Sequence, residues 1–401
     1  MDATKSAEAN EFTYWRYGKN IMEPVAPVGI ITQQINDRLA DDINRNLRQL
    51  RQNYVKQHPD LLEFIGYERK DYRMTADLKR LNTGEGQAQL IDSVRGHDLY
   101  IISDVLNDSI YTNRFGVTVS LSPDDHFQDL CRLIAATHGS STRINVIMPF
   151  LYEGRRHMRP HQASMDCALM LRQLFSLGVS NFITFDAQDS RVSNAVPRHN
   201  FENFPTAQAI IAKLLQKIPD LRLDKDHFMV ISPAETAINK AIYYAAVMKV
   251  PLGTFFRVFQ ADGEVDRDFF GDDVAGRDLV IIDDILDTAD SVLSCANYLK
   301  ERGANRIFIL SSFALFTGGY ESMNQAYDFG VVDKVFATNL TRPARPLMDA
   351  PWFESVDMSL NIAEAIDALN HNASLSALLN TDAGVLQLLE EYNSKVQATE
   401  K

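Results

Sequence analysis

Asp278-Leu-Val-Ile-Ile-Asp-Asp-Ile-Leu-Asp-Thr-Ala-Asp-Ser-Val-Leu-Ser-Cys-Ala-Asn-Tyr298 is the stretch from which the fold of this chain can be read. Leu279, Val280, Ile281 and Ile282 form an unbroken apolar run. Such a run marks a parallel strand covered on both faces, because a strand with one wet face would alternate apolar and polar residues. Asp283 and Asp284 follow, and then Asp287, Thr288, Ala289, Asp290 and Ser291. After them Val292, Ala296 and Leu299 recur at helical spacing. The order is strand, acidic loop, helix. The loop falls beyond the carboxyl end of a strand, where open α/β sheets bind ligands. Backbone N–H groups at the start of the helix, helped by the hydroxyls of Thr288 and Ser291, suit a phosphate. The two acids ahead of them could accept from sugar hydroxyls or hold a hydrated Mg2+. The plainer alternative is that Asp287, Thr288 and Ser291 only cap the helix.

The strand has an echo upstream. Gly96-His-Asp-Leu-Tyr-Ile-Ile-Ser-Asp104 and Gly276-Arg-Asp-Leu-Val-Ile-Ile-Asp-Asp284 both fit G-x-D-L-x-I-I-x-D. A second echo joins LFSLGVSNFITF, ending at Phe185, to LKERGANRIFIL, ending at Leu310. In each, a helix stops at a glycine and a β-rich run follows, the αβ corner of a doubly wound sheet. The interval from Gly96 to Gly178 is 82 residues, and that from Gly276 to Gly303 is 27. The pattern predicts two related α/β domains with mainly parallel sheets, the first carrying more material between its copies. The expected division is an N-terminal arm over 1–24, α/β domains over 25–205 and 206–345, and a helical tail over 346–401.

Within the first domain, Gly29 to Ile31 starts a strand, and Asn36–Lys56 reads as a surface helix with a solvated, mixed-charge face. A helix spans Asp124–Thr137, a strand runs from Ile144 to near Pro149, and a second helix covers about Ser164–Leu177. The loop YEGRRHMRPH carries Arg155, Arg156, His157, Arg159 and His161, the most basic patch in the chain. It follows a strand end and could receive polyphosphate, or it is simply an exposed basic loop. In the second domain, the strand Phe228–Ile231 puts Ser232 to Asn239 at another strand's carboxyl end. Leu360–Leu369 reads as a helix within the tail.

The chain has 401 residues, long enough for two domains with appendages. A formal net charge of −13 argues against a broad nucleic-acid footprint. Three scattered cysteines without a CxxC indicate neither a disulfide framework nor a zinc site, which suits a reducing cytoplasm. No apolar run approaches membrane-spanning length, and MDATKSAEANEF lacks the apolar core of a signal peptide.

Together, TGEGQAQLIDSVRGHDLYII, SPDDHFQDL, VIMPFLYEGRRHMR, GVSNFITFDAQ, VISPAETAINKA and IIDDILDTADS resemble the ribose-phosphate pyrophosphokinases (phosphoribosyl pyrophosphate synthetases) from about Thr83 to Leu340. The tail segments SVDM and NHNASLSALLN resemble a longer bacterial variant of that family. The resemblance implies two phosphoribosyltransferase-like domains. It also implies transfer of the β,γ-diphosphoryl group of Mg·ATP to the 1-hydroxyl of ribose 5-phosphate, with AMP released. On that likeness Asp283 and Asp284 face the ribose hydroxyls and the metal, and Asp287 to Ser291 wrap the 5-phosphate. Asp290 stands where many relatives have glycine. Glu85, Arg155, Arg156 and His157 are the implied ATP contacts. The family assembles as dimers within larger rings such as hexamers. That implies a homo-oligomer here, or a hetero-oligomer with an active paralogue.

The ATP side departs from the family pattern. Gln188 replaces a histidine two residues after Asp186, and Ala234 replaces a metal-holding aspartate. Thr236 replaces a glycine, and Lys240 an arginine. In a segment the family uses as a flexible loop, Arg257 takes a catalytic lysine's place and Phe259 an arginine's. Arginine keeps the charge at 257 without the compact geometry of an ammonium. Glutamine at 188 cannot act as an imidazolium. Two readings follow: a divergent active synthetase, or a weakened relative that binds ribose phosphate or nucleotide as a regulatory or partner subunit. A phosphoribosyltransferase using the finished pyrophosphate would leave the first domain idle.

Overall fold

The computed structural model describes residues 23–33, 37–156, 161–259, 265–342 and 345–399. Most of the expected arm over 1–24 therefore lies outside the described residues, as do His157 and Arg159. The chain forms two compact units. One runs up to Phe204 and adds Ser359–Asn380; the other takes Pro205–Met358 and the residues from Thr381 on.

The first unit is built on a five-stranded parallel sheet. Its strands are β1 (Val28–Thr32), β4 (Asp98–Ile102), β7 (Arg143–Ile147), β8 (Asn181–Phe185) and β9 (Asn200–Phe204), in that spatial order. Two antiparallel hairpins stand apart from it, β2 (Ala76–Arg80) with β3 (Gly86–Leu90) and β5 (Tyr111–Arg114) with β6 (Val117–Ser120). The helix Pro123–Ala136 begins at Ser122, whose side chain and that of Asp125 cap each other's backbone N–H groups.

The second unit holds a seven-stranded sheet. It contains β10 (Phe228–Ser232), β11 (Leu252–Phe259), β12 (Val265–Phe270), β13 (Asp278–Leu286), β14 (Ile307–Ala314), β15 (Lys334–Thr338) and β16 (Phe353–Val356), in the spatial order β12-β11-β10-β13-β14-β15-β16. Every pairing is parallel except the β11–β12 hairpin at the edge. Successive residues of β13 bury into opposite faces. Leu279 and Ile281 join a core with the helices Asp290–Glu301 and Glu321–Asp328. Val280 and Ile282 join a second core with the helices Ala207–Lys217, Ile238–Met248 and Asp382–Thr399. Both faces of the strand are covered, which is the physical content of its unbroken apolar run.

The G-x-D-L-x-I-I-x-D echo is structural. Gly96 and Gly276 both take a left-handed backbone, at φ 70° and 72°. Asp98 accepts from Arg143 Nε and Nη2 at 2.9 and 2.7 Å. Asp278 accepts the same way from Arg306, at 3.1 and 2.6 Å. In each unit the arginine stands at the start of the neighbouring parallel strand, so the bidentate pair ties two strand beginnings together. The second echo is corrected. By position in the sheet, β14 matches β7 rather than β8, and the left-handed glycine of the corner leading into β7 is Gly139. The interval from Gly96 is then 43 residues rather than 82, and the β5–β6 hairpin occupies ten of them.

The described residues of the expected tail over 346–401 are not an appendage. Phe353–Val356 is the edge strand of the second sheet, and Asp382–Thr399 packs in the second unit. Ser359–Asn370 belongs to the first unit, where a buried polar network holds it. Arg51 donates to Asp367 at 3.0 Å and to Asn370 at 2.6 Å, and Asn370 in turn donates to Asp98 at 2.9 Å. The Arg51 guanidinium also lies 4.6 and 5.1 Å from the ring centroids of Tyr67 and Tyr72. The helix observed as Arg38–Gln57 is thus not solvated at every charge, since Arg51 is wholly buried. Among the described residues no helix is long and apolar enough to cross a membrane.

Candidate functional site

The acidic loop grows directly out of the second sheet. β13 is fully buried to Ile282 and then emerges at Asp283, Asp284 and Ile285. Leu286 anchors it again, because its carbonyl accepts from the Leu315 and Phe316 N–H groups at 2.9 and 3.1 Å. Thr317 N–H donates to the Asp287 carbonyl at 3.0 Å, and its hydroxyl donates to the Asp287 carboxylate. The chain leaving β14 therefore braces the loop leaving β13.

Asp290–Glu301 begins immediately after Ala289, which has φ 65° and ψ −1°. For an L-residue that conformation costs on the order of 1–2 kcal/mol. Burial of Ala289 and the Leu293 N–H donating to its carbonyl at 2.9 Å hold it in place. The N-cap residue is Ala289, whose methyl side chain makes no capping hydrogen bond. Thr288, Asp290 and Ser291 are exposed. Strand end, strained turn and helix start thus present backbone amides and two hydroxyls together, the chemistry that suits a phosphate.

The two acids differ in environment. Asp283 is mostly buried, and burial together with the neighbouring Asp284 charge pushes its carboxyl up to about 6. The Asp284 N–H donates to Asp283 Oδ1 at 2.8 Å. Asp284 pairs with Lys240, Nζ to Oδ1 at 3.1 Å, with both side chains about one-sixth exposed. The Lys240 ammonium also donates to the Ser312 hydroxyl. Ser311 Oγ donates to the Asp284 carbonyl at 3.1 Å, fixing the backbone just after the acid pair.

This arrangement fits a protein-held Mg2+ poorly. An ammonium already takes one of the two carboxylates. Ala234, two residues beyond adjacent β10, contributes no side-chain oxygen, and the Ser232 hydroxyl donates to the Ala234 carbonyl at 2.8 Å. Among the described residues no group of three metal-ligating side chains comes together.

Sequence reasoning placed Lys240 only as a replaced arginine and missed its partner. The available signal was positional: a cation in the first turn of the helix after β10, beside the strand that carries the acids. Ser311 and Ser312 were missed too, although a polar pair within a buried strand is a signal in itself.

Arg257 and Phe259 lie on β11, paired in register with Arg267 and Val265 of β12, so the expected flexible loop begins as an edge hairpin. In the first unit Glu85 is exposed in the β2–β3 turn and accepts from the Thr83 hydroxyl at 2.8 Å. Arg155 and Arg156 are exposed on a single 3-10 turn after β7. The Arg155 guanidinium lies 5.8 Å from the Phe150 ring centroid. Gln188 is exposed beyond β8, two residues after Asp186, whose φ of 40° marks a strained turn.

Two family descriptions match the chain. Residues 28–178 match the N-terminal domain of ribose phosphate pyrophosphokinase, and residues 268–380 match the phosphoribosyl synthetase-associated domain. The chain is 25% identical over 311 residues to a ribose-phosphate pyrophosphokinase of Chromobacterium violaceum, covering 77% of this chain and 88% of that relative. It is 27% identical over 313 residues to that of Pasteurella multocida, covering 76% and 90%. Its fold resembles the crystal structure of phosphoribosylpyrophosphate synthetase from Mycobacterium smegmatis, with a TM-score of 0.67 at 16% identity over 86% of this chain and all of that one.

Proposed function

The chain belongs to the ribose-phosphate pyrophosphokinase family, and we propose that it transfers diphosphate from Mg·ATP to the 1-hydroxyl of ribose 5-phosphate, releasing AMP. The observation that carries this is the loop at the end of β13. Asp283 and Asp284 stand where they can accept from ribose hydroxyls, and the Asp287–Ser291 turn into the helix suits the 5-phosphate. On this reading Glu85, Arg155, Arg156 and His157 contact ATP, and Arg257 neutralises the transferring phosphates. Gln188 supplies a neutral hydrogen bond where the family has an imidazole. The product feeds nucleotide biosynthesis in the cytoplasm, and the working form is a dimer-based homo-oligomer such as a hexamer, or a hetero-oligomer with an active paralogue.

Phosphoryl transfer depends on positioning and charge neutralisation more than on covalent chemistry. A second reading therefore has specific support. Ala234 offers no carboxylate beside the acidic pair, and Lys240 already occupies Asp284. A chain so arranged would bind ribose phosphate or nucleotide and act as a regulatory or partner subunit. Purified protein incubated with Mg·ATP and ribose 5-phosphate, and followed for AMP, separates the two. AMP that appears only with both substrates supports the synthetase. Ribose 5-phosphate binding without AMP above background refutes the synthetase and supports the subunit.

A further inference from the structure

Four carboxylates gather around the acidic loop, at Asp283, Asp284, Asp287 and Asp290. A sugar phosphate brings about two more negative charges at neutral pH. Some positive charge has to balance them, and a divalent cation on the acidic pair is the usual remedy. Here the balance is already part of the chain. Lys240 Nζ lies 3.1 Å from Asp284 Oδ1, and the ammonium is fixed a second time by the Ser312 hydroxyl, at the end of the strand next to β13. Mg2+ requires near-octahedral oxygen ligands at about 2.0–2.1 Å. To take Asp284 as a ligand it would have to displace the ammonium or sit against it. Ala234 adds no carboxylate to compensate, and the Ser232 hydroxyl is held to the Ala234 carbonyl.

We propose that Lys240 is a resident counter-ion that takes the place of a protein-held divalent cation at the Asp283–Asp284 pair, so that this loop binds ribose phosphate without Mg2+. Lys240 acts through Asp284, as a positioning residue: it holds the carboxylate oriented and charge-balanced for the sugar hydroxyls. The inference rests on the loop being the sugar-phosphate site. It leaves Mg2+ its role as the companion of ATP, a substrate held elsewhere in the family's scheme.

Calorimetric titration of the full chain with ribose 5-phosphate, once in EDTA and once in Mg2+, tests it. The expected affinities agree within about threefold, less than half a tenfold step in free energy. Binding that requires Mg2+ overturns the proposal while leaving the loop as the sugar-phosphate site. No binding in either buffer overturns the loop assignment and this inference with it. Lys240→Met should bind only when Mg2+ is present, whereas Lys240→Arg should stay independent of metal. Unchanged binding by Lys240→Met in EDTA refutes the role given to Lys240. Should that variant not fold, Mn2+ added to the native chain and followed by electron paramagnetic resonance serves instead. Mn2+ should remain free, and uptake of one ion per chain that ribose 5-phosphate alters would refute the proposal.

Discussion

Replacing Asp284 by alanine tests the site at its centre. The side chain is about five-sixths buried and bonded to Lys240 at 3.1 Å, so its removal has two separable effects. The first is on the ligand. A carboxylate that accepts from a sugar hydroxyl contributes about 1.5–3 kcal/mol, so ribose 5-phosphate should bind on the order of 10- to 100-fold more weakly. The second is on the protein. Breaking a fully buried ion pair by removing one partner costs about 3–5 kcal/mol. This pair keeps some solvent contact and Lys240 retains Ser312, so roughly 2 kcal/mol is the better figure. For a unit of this size that lowers the melting temperature by about 4–8 °C. Asp284→Asn separates the effects, since the amide oxygen still accepts from a hydroxyl while the charge opposite Lys240 is lost. It should recover part of the affinity and little of the stability. Titration calorimetry and thermal melting read the two quantities independently. An Asp284→Ala chain that binds ribose 5-phosphate within about threefold of the native one would refute the placement of the sugar site.

Other consequences follow from the same contacts. Asp367→Ala strands the fully buried Arg51 charge and should cost roughly 3–5 kcal/mol, whereas Arg51→Met with Asp367→Leu should melt close to the native chain; equal losses in both would refute the ion-pair account. A chain ended after Met358 loses the helix Ser359–Asn370 and should lack a cooperative melt, and a native circular dichroism spectrum with a sharp transition would show that the segment is dispensable. His126 is buried and its pKa is lowered by desolvation, opposed in part by the carbonyl of Asn107. The unfolded chain therefore takes up the proton first, and stability is lost as pH falls below the ordinary histidine pKa of about 6.5. Melting scans from neutral to mildly acidic pH should show a shallower decline for His126→Gln than for the native chain; parallel declines would refute this. Gln188→His together with Ala234→Asp should raise AMP formation by about tenfold or more, and an unchanged rate would mean that these two positions do not limit the reaction.

Much of the second unit was legible because its signals are local. An apolar run of four residues, two acids and a helical period need no tertiary information, and the G-x-D-L-x-I-I-x-D echo recurs as a pair of equivalent strands. The second echo misled for an equally physical reason. A helix ending in a left-handed glycine and leading into a strand is the corner of every αβ unit, so the motif recurs along the chain without saying which strand it precedes. Position in the sheet decides that, and it pairs β14 with β7.

The sequence by itself determined a doubly covered parallel strand and a phosphate-suited loop at its end, because hydrophobic periodicity and turn chemistry are properties of neighbouring residues. It could not determine partners brought together by folding. Arg51 and Asp367 are 316 positions apart, so no local rule could have moved the helix Ser359–Asn370 from a tail into the first unit. Likewise Lys240 reaches Asp284 across 44 positions, because adjacent parallel strands bring their carboxyl ends side by side. The acids at the end of β13 were readable as acids; that one of them already holds an ammonium was decided by the sheet.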